Sequence, residues 1–268
     1  MKRMKLNKQN YYSKEADWQY LSVSQFKDFD KCEAAALAKL KGEYIPSGDN
    51  TALLVGNYVH SYFESPEAHE DFKNENNKYL FSSRKPYGLL SAFKIAEEMI
   101  TTLENDDFFN FVYQGEKEHV VTGNLFGAEF KGRIDCLNVE KGYFVDLKTT
   151  KAINSRFWSN KYRCYVSFVE EYGYVLQMAV YKRLLEMKFG KEFTPYIFAV
   201  SKETPPAKQA IEIIPQRFDF ELKYLEERLP DVLMAKYGQK VPKRCEKCEY
   251  CRRTRQLSGF VEVADLID

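Results

Sequence analysis

The chain has 268 residues with 40 Lys+Arg against 39 Asp+Glu, a formal net charge of +1. That length suits one large domain with small additions, and so balanced a charge excludes a globally cationic surface, leaving nucleic-acid contact to local basic patches. No window approaches the roughly 18 consecutive apolar residues of a membrane span, and residues 1–10 are polar and basic without the apolar stretch of a signal peptide, so the expected setting is cytoplasmic with no membrane partner.

In chain order, Ser22 and Ser24 are plausible caps for a helix over 22–41. A loop with Pro46, Gly48, Asp49 and Asn50 leads to a second helix over 52–64, and an amphipathic helix is predicted over 89–103, with Leu90, Phe93, Ile95, Ala96, Met99 and Ile100 on its apolar face. The pattern then changes to three strand-like runs, 116–122, 125–139 and 143–147. Gly123-Asn124 and Glu140-Lys141-Gly142 supply the turn signals of an antiparallel meander. A helix over 174–189, strands at 196–200 and 210–214 and a helix over 218–237 complete a mixed α+β (α/β) domain with a central mixed sheet flanked by helices. No repeat, low-complexity tract or flexible linker interrupts it. The expected organisation is a single domain: an extension over 1–20, a core over 21–240 and a segment rich in Cys and basic residues over 241–268.

The densest chemical signal lies in the meander. Gly132-Arg133-Ile134-Asp135 ends one strand segment, and Asp146-Leu147-Lys148 closes the next. A turn at 140–142 brings Asp135 and Asp146 together as two carboxylates aimed at one point, the oxygen donors that Mg²⁺ or Mn²⁺ prefers. Asp146 and Lys148 share a strand face by the period of two, whereas Leu147 faces away and offers its backbone carbonyl. Carboxylates, a lysine and a metal make a unit for phosphodiester hydrolysis: the metal polarises the phosphate and acidifies a water, and the amine offsets developing charge. A D-x-K at a strand end is by itself commonly a solvated edge. Here it has companions: His60 and Glu64 lie four residues apart on one helical face, and Gln177 and Tyr181 repeat that spacing downstream. Glu116 and Glu118 are further acidic candidates.

The order G-x-x-x-H-x-x-x-E, G-R-I-D, D-L-K-T-T, Q-x-x-x-Y resembles the RecB-like branch of the PD-(D/E)xK nucleases. The opening Leu21-Ser22-Val23-Ser24-Gln25-Phe26 is further similar to RecE-type recombination exonucleases of phages and prophages. The resemblance implies a restriction-endonuclease-like core and a metal-dependent exonuclease that degrades the 5′ strand of linear duplex DNA, leaving 3′ overhangs for a RecT-like single-strand annealing protein. It assigns Asp135, Asp146, His60 and the Leu147 carbonyl to the metal, Lys148 to catalysis, and Gln177 and Tyr181 to support of the site. Ile134 stands where the superfamily's name has Pro, a departure the RecB-like branch tolerates. It also implies a homo-oligomeric ring around the duplex, a tetramer favoured over a trimer. Candidate phosphate contacts are Arg84, Lys85, Lys151, Arg156, Lys161 and Arg163, the last three interleaved with aromatic residues as a stacking surface would be; a solvated charged loop is the alternative.

Six cysteines are too few and too unevenly spaced for a secreted disulfide scaffold. Cys245, Cys248 and Cys251 form a C-x-x-C-x-x-C run. Certain RecB-like nucleases join such a trio to an N-terminal cysteine, here Cys32, around a [4Fe-4S] cluster, although with wider spacing; a tetrahedral zinc would also be satisfied. The alternative is a basic C-terminal helix with reduced thiols. Cys136 and Cys164 lack partner spacing and are expected to be buried. Two further readings follow: an iron-sulfur nuclease of the CRISPR-adaptation kind, and a non-catalytic DNA-end-binding scaffold.

Overall fold

The computed structural model describes residues 4–266, and the chain divides into two compact units. The first comprises Met1–Val23 and Gly48–Glu227. It opens with α1 (Lys14–Gln19), whose cap Ser13 accepts a hydrogen bond from the Ala16 amide at 3.2 Å and so satisfies an orphan donor of the first turn.

The second unit comprises Ser24–Ser47 and Arg228–Asp268. In place of one helix over 22–41 there are two, α2 (Val23–Lys31) and α3 (Glu33–Lys41), broken at Cys32, which is fully extended at φ −163° and ψ 102°. No Gly or Pro marks this break in the sequence. The Ala34 amide instead donates to the Lys243 carbonyl at 3.0 Å, and Glu33 takes the Lys243 amide at 2.8 Å, so the first turn of α3 is capped by a segment remote in sequence.

Within the first unit, α4 (Thr51–Glu64) runs into α5 (Pro66–Glu75) through Ser65, which caps α5 onto the Ala68 amide at 3.1 Å, with Pro66 in the first helical turn. After the short α6 (Asn77–Leu80), α7 (Ser91–Glu104) buries Phe93, Ala96, Met99, Ile100 and Leu103, and α8 (Asp107–Val112) is capped by Asp106 on the Phe109 amide at 2.8 Å. Leu90 stands before α7 and is exposed, because the apolar stripe begins only at Phe93. These helices share one core with Cys136, Val145, Leu147, Phe198 and Val200 of the sheet.

The meander is β1 (Glu116–Leu125), β2 (Ala128–Asn138) and β3 (Tyr143–Thr150), all antiparallel. Its first turn is not at Gly123-Asn124, which pair with Phe130 and Glu129 inside the strands, but at Phe126-Gly127. Both of these have positive φ, 51° and 83°, the two-residue primed turn that matches strand twist. A hairpin of β4 (Phe157–Ser159) and β5 (Cys164–Val166) and the one-turn α9 (Phe168–Glu171) follow where no element was predicted. Three-residue strands and a four-residue helix are too short to leave a periodic signature. Cys164 is exposed on this hairpin, against the expectation that it is buried, whereas Cys136 is buried. Helix α10 (Tyr174–Phe189) crosses over to β6 (Thr194–Ser201), which lies parallel to β3, and β7 (Lys208–Glu212) closes the five-stranded mixed sheet in the order β1-β2-β3-β6-β7. Helix α11 (Pro215–Lys236) gives its residues through Glu227 to this unit and the rest to the second, which ends with α12 (Glu249–Arg253) and a 3₁₀ turn at Val263–Leu266. Among the described residues no helix is long and apolar enough to cross a membrane.

Candidate active site

The site is built where the meander comes apart. β2 and β3 pair only through Cys136–Val145, Leu137–Phe144 and Asn138–Tyr143, although their register would next set Asp135 against Asp146. There the strands part, and Asp135 Oδ2 takes over the lost ladder bond by accepting the Leu147 amide at 2.7 Å. β3 stays paired to β6 through this stretch, so Leu147 remains in the core while Asp146 and Lys148 project together from the opposite face, with Nζ 2.5 Å from Oδ2.

Three elements complete the cluster. From α4, His60 Nδ1 lies 3.4 Å from Asp135 Oδ2, and its ring is hydrogen-bonded to the Leu147 backbone. From α10, Gln177 donates to Asp146 Oδ1 at 3.0 Å. Tyr181, one turn further, is buried over Gly132: a Cβ at Gly132 would stand 2.7 Å from its ring, so the glycine of G-R-I-D is the floor on which α10 rests. From β1 comes Glu118, opposite Asp135 in register but left out of the ladder because its φ is 56°. The left-handed conformation costs a non-glycine residue about 1–2 kcal/mol, and here it accompanies a carboxylate turned into the cluster. Ligand atoms of His60, Glu118 and Asp135 all lie within 4.8 Å of one another. In sequence Glu118 stands with Glu64 and Glu116 as a weaker candidate than the two aspartates, and strand alternation gives no sign of such a kink. Of its companions, Glu64 pairs with Lys8 at 3.3 Å and Glu116 with His119 at 2.7 Å.

Two cations face these acids. Arg133 Nε is 2.5 Å from Glu118 Oε2, its guanidinium 4.9 Å from the centroid of the Tyr12 ring, and Lys148 Nζ is 4.5 Å from the centroid of the Tyr174 ring. Tyr12 and Tyr174 carry no motif signal and emerge only from the packing.

Electrostatically the cluster is dominated by burial. Burial pushes Asp146 up to about 6 against the pull of Lys148, and burial together with the Asp135 charge pushes Glu118 up to about 8. Asp135 is also raised by burial. Burial, then the Lys148 charge, brings His60 down to about 4, keeping its ring neutral and able to ligate. For Lys148 burial alone would favour the neutral amine, but the Asp146 and Asp135 charges outweigh it and raise the ammonium. Buried Glu118 Oε2 and Asp146 Oδ2 have ion-pair neighbours and no aligned hydrogen bond. Carboxylates held high by burial, with oxygens that meet only the Arg133 and Lys148 cations and a neutral imidazole beside them, fit a hard divalent cation.

The candidate DNA contacts divide. Arg84, Lys85, Lys151, Arg156 and Arg163 are exposed. Lys161 instead turns onto the fully buried Glu221, which Tyr162 also engages, so it is committed to an internal ion pair rather than free for phosphate. On the β4–β5 hairpin the exposed rings of Trp158 and Tyr165 meet edge to face at 5.5 Å, with Arg156 over Tyr165 at 5.5 Å. In the second unit Cys32, Cys245, Cys248 and Cys251 converge, with sulfurs all within 4.8 Å of one another.

The family described as a PDDEXK-like domain of unknown function (DUF3799) matches residues 22–254. The crystal structure of a protein described as a candidate exonuclease from Eubacterium rectale superposes with a TM-score of 0.91 at 35% identity, covering 99% of each chain. A second structure, described as SSO0001, aligns with a TM-score of 0.31 at 15% identity over 85% of this chain and 93% of that one. No curated protein matches.

Proposed function

The chain belongs to the PDDEXK-like domain family, within the PD-(D/E)xK nuclease superfamily, and from that premise we propose that it is a divalent-metal-dependent exonuclease acting on the ends of linear duplex DNA. The observation that carries the reading is the meeting of Asp135, Asp146, Lys148, His60 and Glu118 where β2 and β3 part. The E. rectale relative, a candidate exonuclease similar over its whole length, supports the exonuclease reading of this nuclease.

His60, Glu118 and Asp135 would hold the ion, with Asp146 and the Leu147 carbonyl beside them. Mg²⁺ or Mn²⁺ supplies polarisation of the scissile phosphate and acidification of a water when bound. Lys148, kept protonated by Asp146, places a fixed positive charge where charge develops at phosphorus and can orient the attacking water. Gln177 holds the Asp146 carboxylate in place, and Tyr181 seated on Gly132 fixes the helix that carries Gln177. Arg133 steadies Glu118.

Polarity and assembly follow the RecE-type resemblance: digestion of the 5′ strand, 3′ overhangs passed to a single-strand annealing protein, and a homo-oligomeric ring, tetrameric by preference, that keeps a nearly neutral chain on its substrate. Exposed Arg156, Trp158 and Tyr165 suit stacking on a displaced strand. The deciding experiment is digestion of linear duplexes labelled at one end, with closed circles as control, in Mg²⁺, Mn²⁺ or chelator. Resection from 5′ ends that requires metal and spares circles is expected. Absence of cleavage with either metal, or turnover that persists in chelator, refutes the proposal.

A further inference from the structure

The four cysteines lie outside the catalytic cluster and take no part in the chemistry above. Cys32 Sγ is 3.6 Å from Cys251 Sγ and 3.8 Å from Cys248 Sγ, and Cys245 Sγ is 4.0 Å from Cys251 Sγ. All remain free thiols rather than disulfides. These separations measure what the group is shaped to hold. With zinc–sulfur bonds of about 2.3 Å, the edge of a regular ZnS₄ tetrahedron is about 3.8 Å. A [4Fe-4S] cubane interposes a cube of iron and sulfide between its ligands, which spreads the four cysteine sulfurs to roughly 6 Å.

The surroundings agree. The Cys248 amide donates to Cys245 Sγ at 3.3 Å and the Cys251 amide to Cys248 Sγ at 3.5 Å, hydrogen bonds of the kind that stabilise thiolate ligands and fix their direction. Four thiolates on one Zn²⁺ leave a net charge of −2, and the guanidiniums of Arg244, on the Cys251 carbonyl at 2.9 Å, and Arg252, on the Lys247 carbonyl at 3.2 Å, border the group.

The segment also needs such a tie. From 237 to 264, Cys251 is the only buried residue among those described, and α12 is five residues long, far below the roughly 12–15 at which an isolated helix becomes even marginal in water. The apolar cluster around the thiols contains, as buried members, only Cys32, Ala34 and Cys251. A few polar bonds add to it, among them Lys240 to Glu33 at 2.9 Å and Tyr44 to Glu249 at 3.2 Å. The break at Cys32 acquires a reason as well, because interrupting the helix there presents this thiol to the trio.

We propose that Cys32, Cys245, Cys248 and Cys251 bind one tetrahedral zinc ion that ties the C-terminal segment to the start of α3 and holds the second unit together. The site is structural: four protein ligands close the coordination shell and leave no position for substrate or water. The proposal is independent of the nuclease reading, since it uses different residues and a different class of donor.

The test is metal analysis of the full-length chain expressed in medium containing both zinc and iron, purified anaerobically and passed through a mild chelator. About one zinc per chain is expected, with four sulfur neighbours at about 2.3 Å by X-ray absorption and, after cobalt replacement, the intense visible bands of a tetrahedral thiolate site. Cys245→Ser and Cys251→Ser should each lose the zinc, whereas His60→Ala should retain it. If the variants fail to fold, the absorption spectrum of the unaltered chain decides. Iron with acid-labile sulfide in place of zinc, a zinc shell of nitrogen and oxygen, or a metal-free chain whose four thiols react freely while it stays folded would each overturn the proposal.

Discussion

Two clusters of titratable side chains are assembled in this chain, and they suit opposite kinds of cation. In the first unit, carboxylates on a sheet and an imidazole on α4 share a large apolar core, so the donors stay in place whether or not an ion is bound. In the second, four soft sulfurs meet over an apolar cluster with three buried members, in a segment with almost no other interior. The difference teaches that one metal would be recruited for chemistry on a scaffold that already exists, and the other would be part of the scaffold.

The comparison can be broken or sharpened in several ways. The largest effect belongs to Lys148→Ala and Asp146→Asn. Each should lower single-turnover DNA cleavage by at least about a thousandfold, as expected when a charge placed for the transition state is lost, while circular dichroism and melting temperature hardly change. A variant of either kind that cleaves normally would remove the catalytic cluster from the mechanism.

Next comes the asymmetry of metal removal. Chelation of Mg²⁺ should abolish cleavage with little change in amide exchange, whereas stripping of zinc by a mercurial should first release exchange protection in 24–47 and 228–264, as for structural zinc sites whose binding energy is folding energy. Equal loss of protection in both units would erase the distinction.

Glu118→Gln should weaken Mg²⁺ binding by about ten- to a hundredfold, with much of the rate recovered at saturating metal; Gln177→Ala, which leaves Asp146 Oδ1 without its hydrogen bond, should cost about tenfold in rate. A pure rate defect in Glu118→Gln that added metal cannot rescue would take this residue out of the ligand set.

A pH titration of the metal-free protein examines the same acids. Glu118 titrates at about 8 and Asp146 at about 6, both above ordinary carboxylates, so a cation has to displace their protons. Affinity should therefore rise with pH up to about 8, with proton uptake by buffer visible in calorimetry. The stability of the metal-free chain should run the other way: acids raised on folding contribute stability below their unfolded values, and that contribution is lost as pH climbs through about 8. Calorimetry without proton release would contradict the protonation assigned to the cluster.

The smallest expected effect is that of Trp158→Ala, which removes one stacking surface. DNA affinity should fall by about tenfold, within the roughly 1–3 kcal/mol that such contacts contribute, with cleavage of bound substrate unchanged. No change in binding would return the hairpin to the status of a solvated loop.

Long periodic elements were readable because their signals repeat. Helix α10 falls on its expected limits between two glycines, the three meander strands form although their first turn is displaced to Phe126-Gly127, and Asp146 and Lys148 share a face because strand geometry has a period of two. What depends on partners distant in the chain was not readable. The kink at Glu118, the parting of β2 from β3, the seating of Tyr181 on Gly132, the capture of Lys161 by Glu221 and the break at Cys32 each answer a residue on another element, and local propensity is blind to those.

The sequence by itself determined the chemical inventory, the order of the motifs and the faces on which neighbouring side chains lie, since these are properties of residue type and backbone period. Tertiary structure alone decided that Glu118 joins the two aspartates, that Lys161 is committed to an internal ion pair and how far apart the sulfurs stand. Distances between elements are set by core packing and long-range hydrogen bonds, and these arise only once the chain has folded.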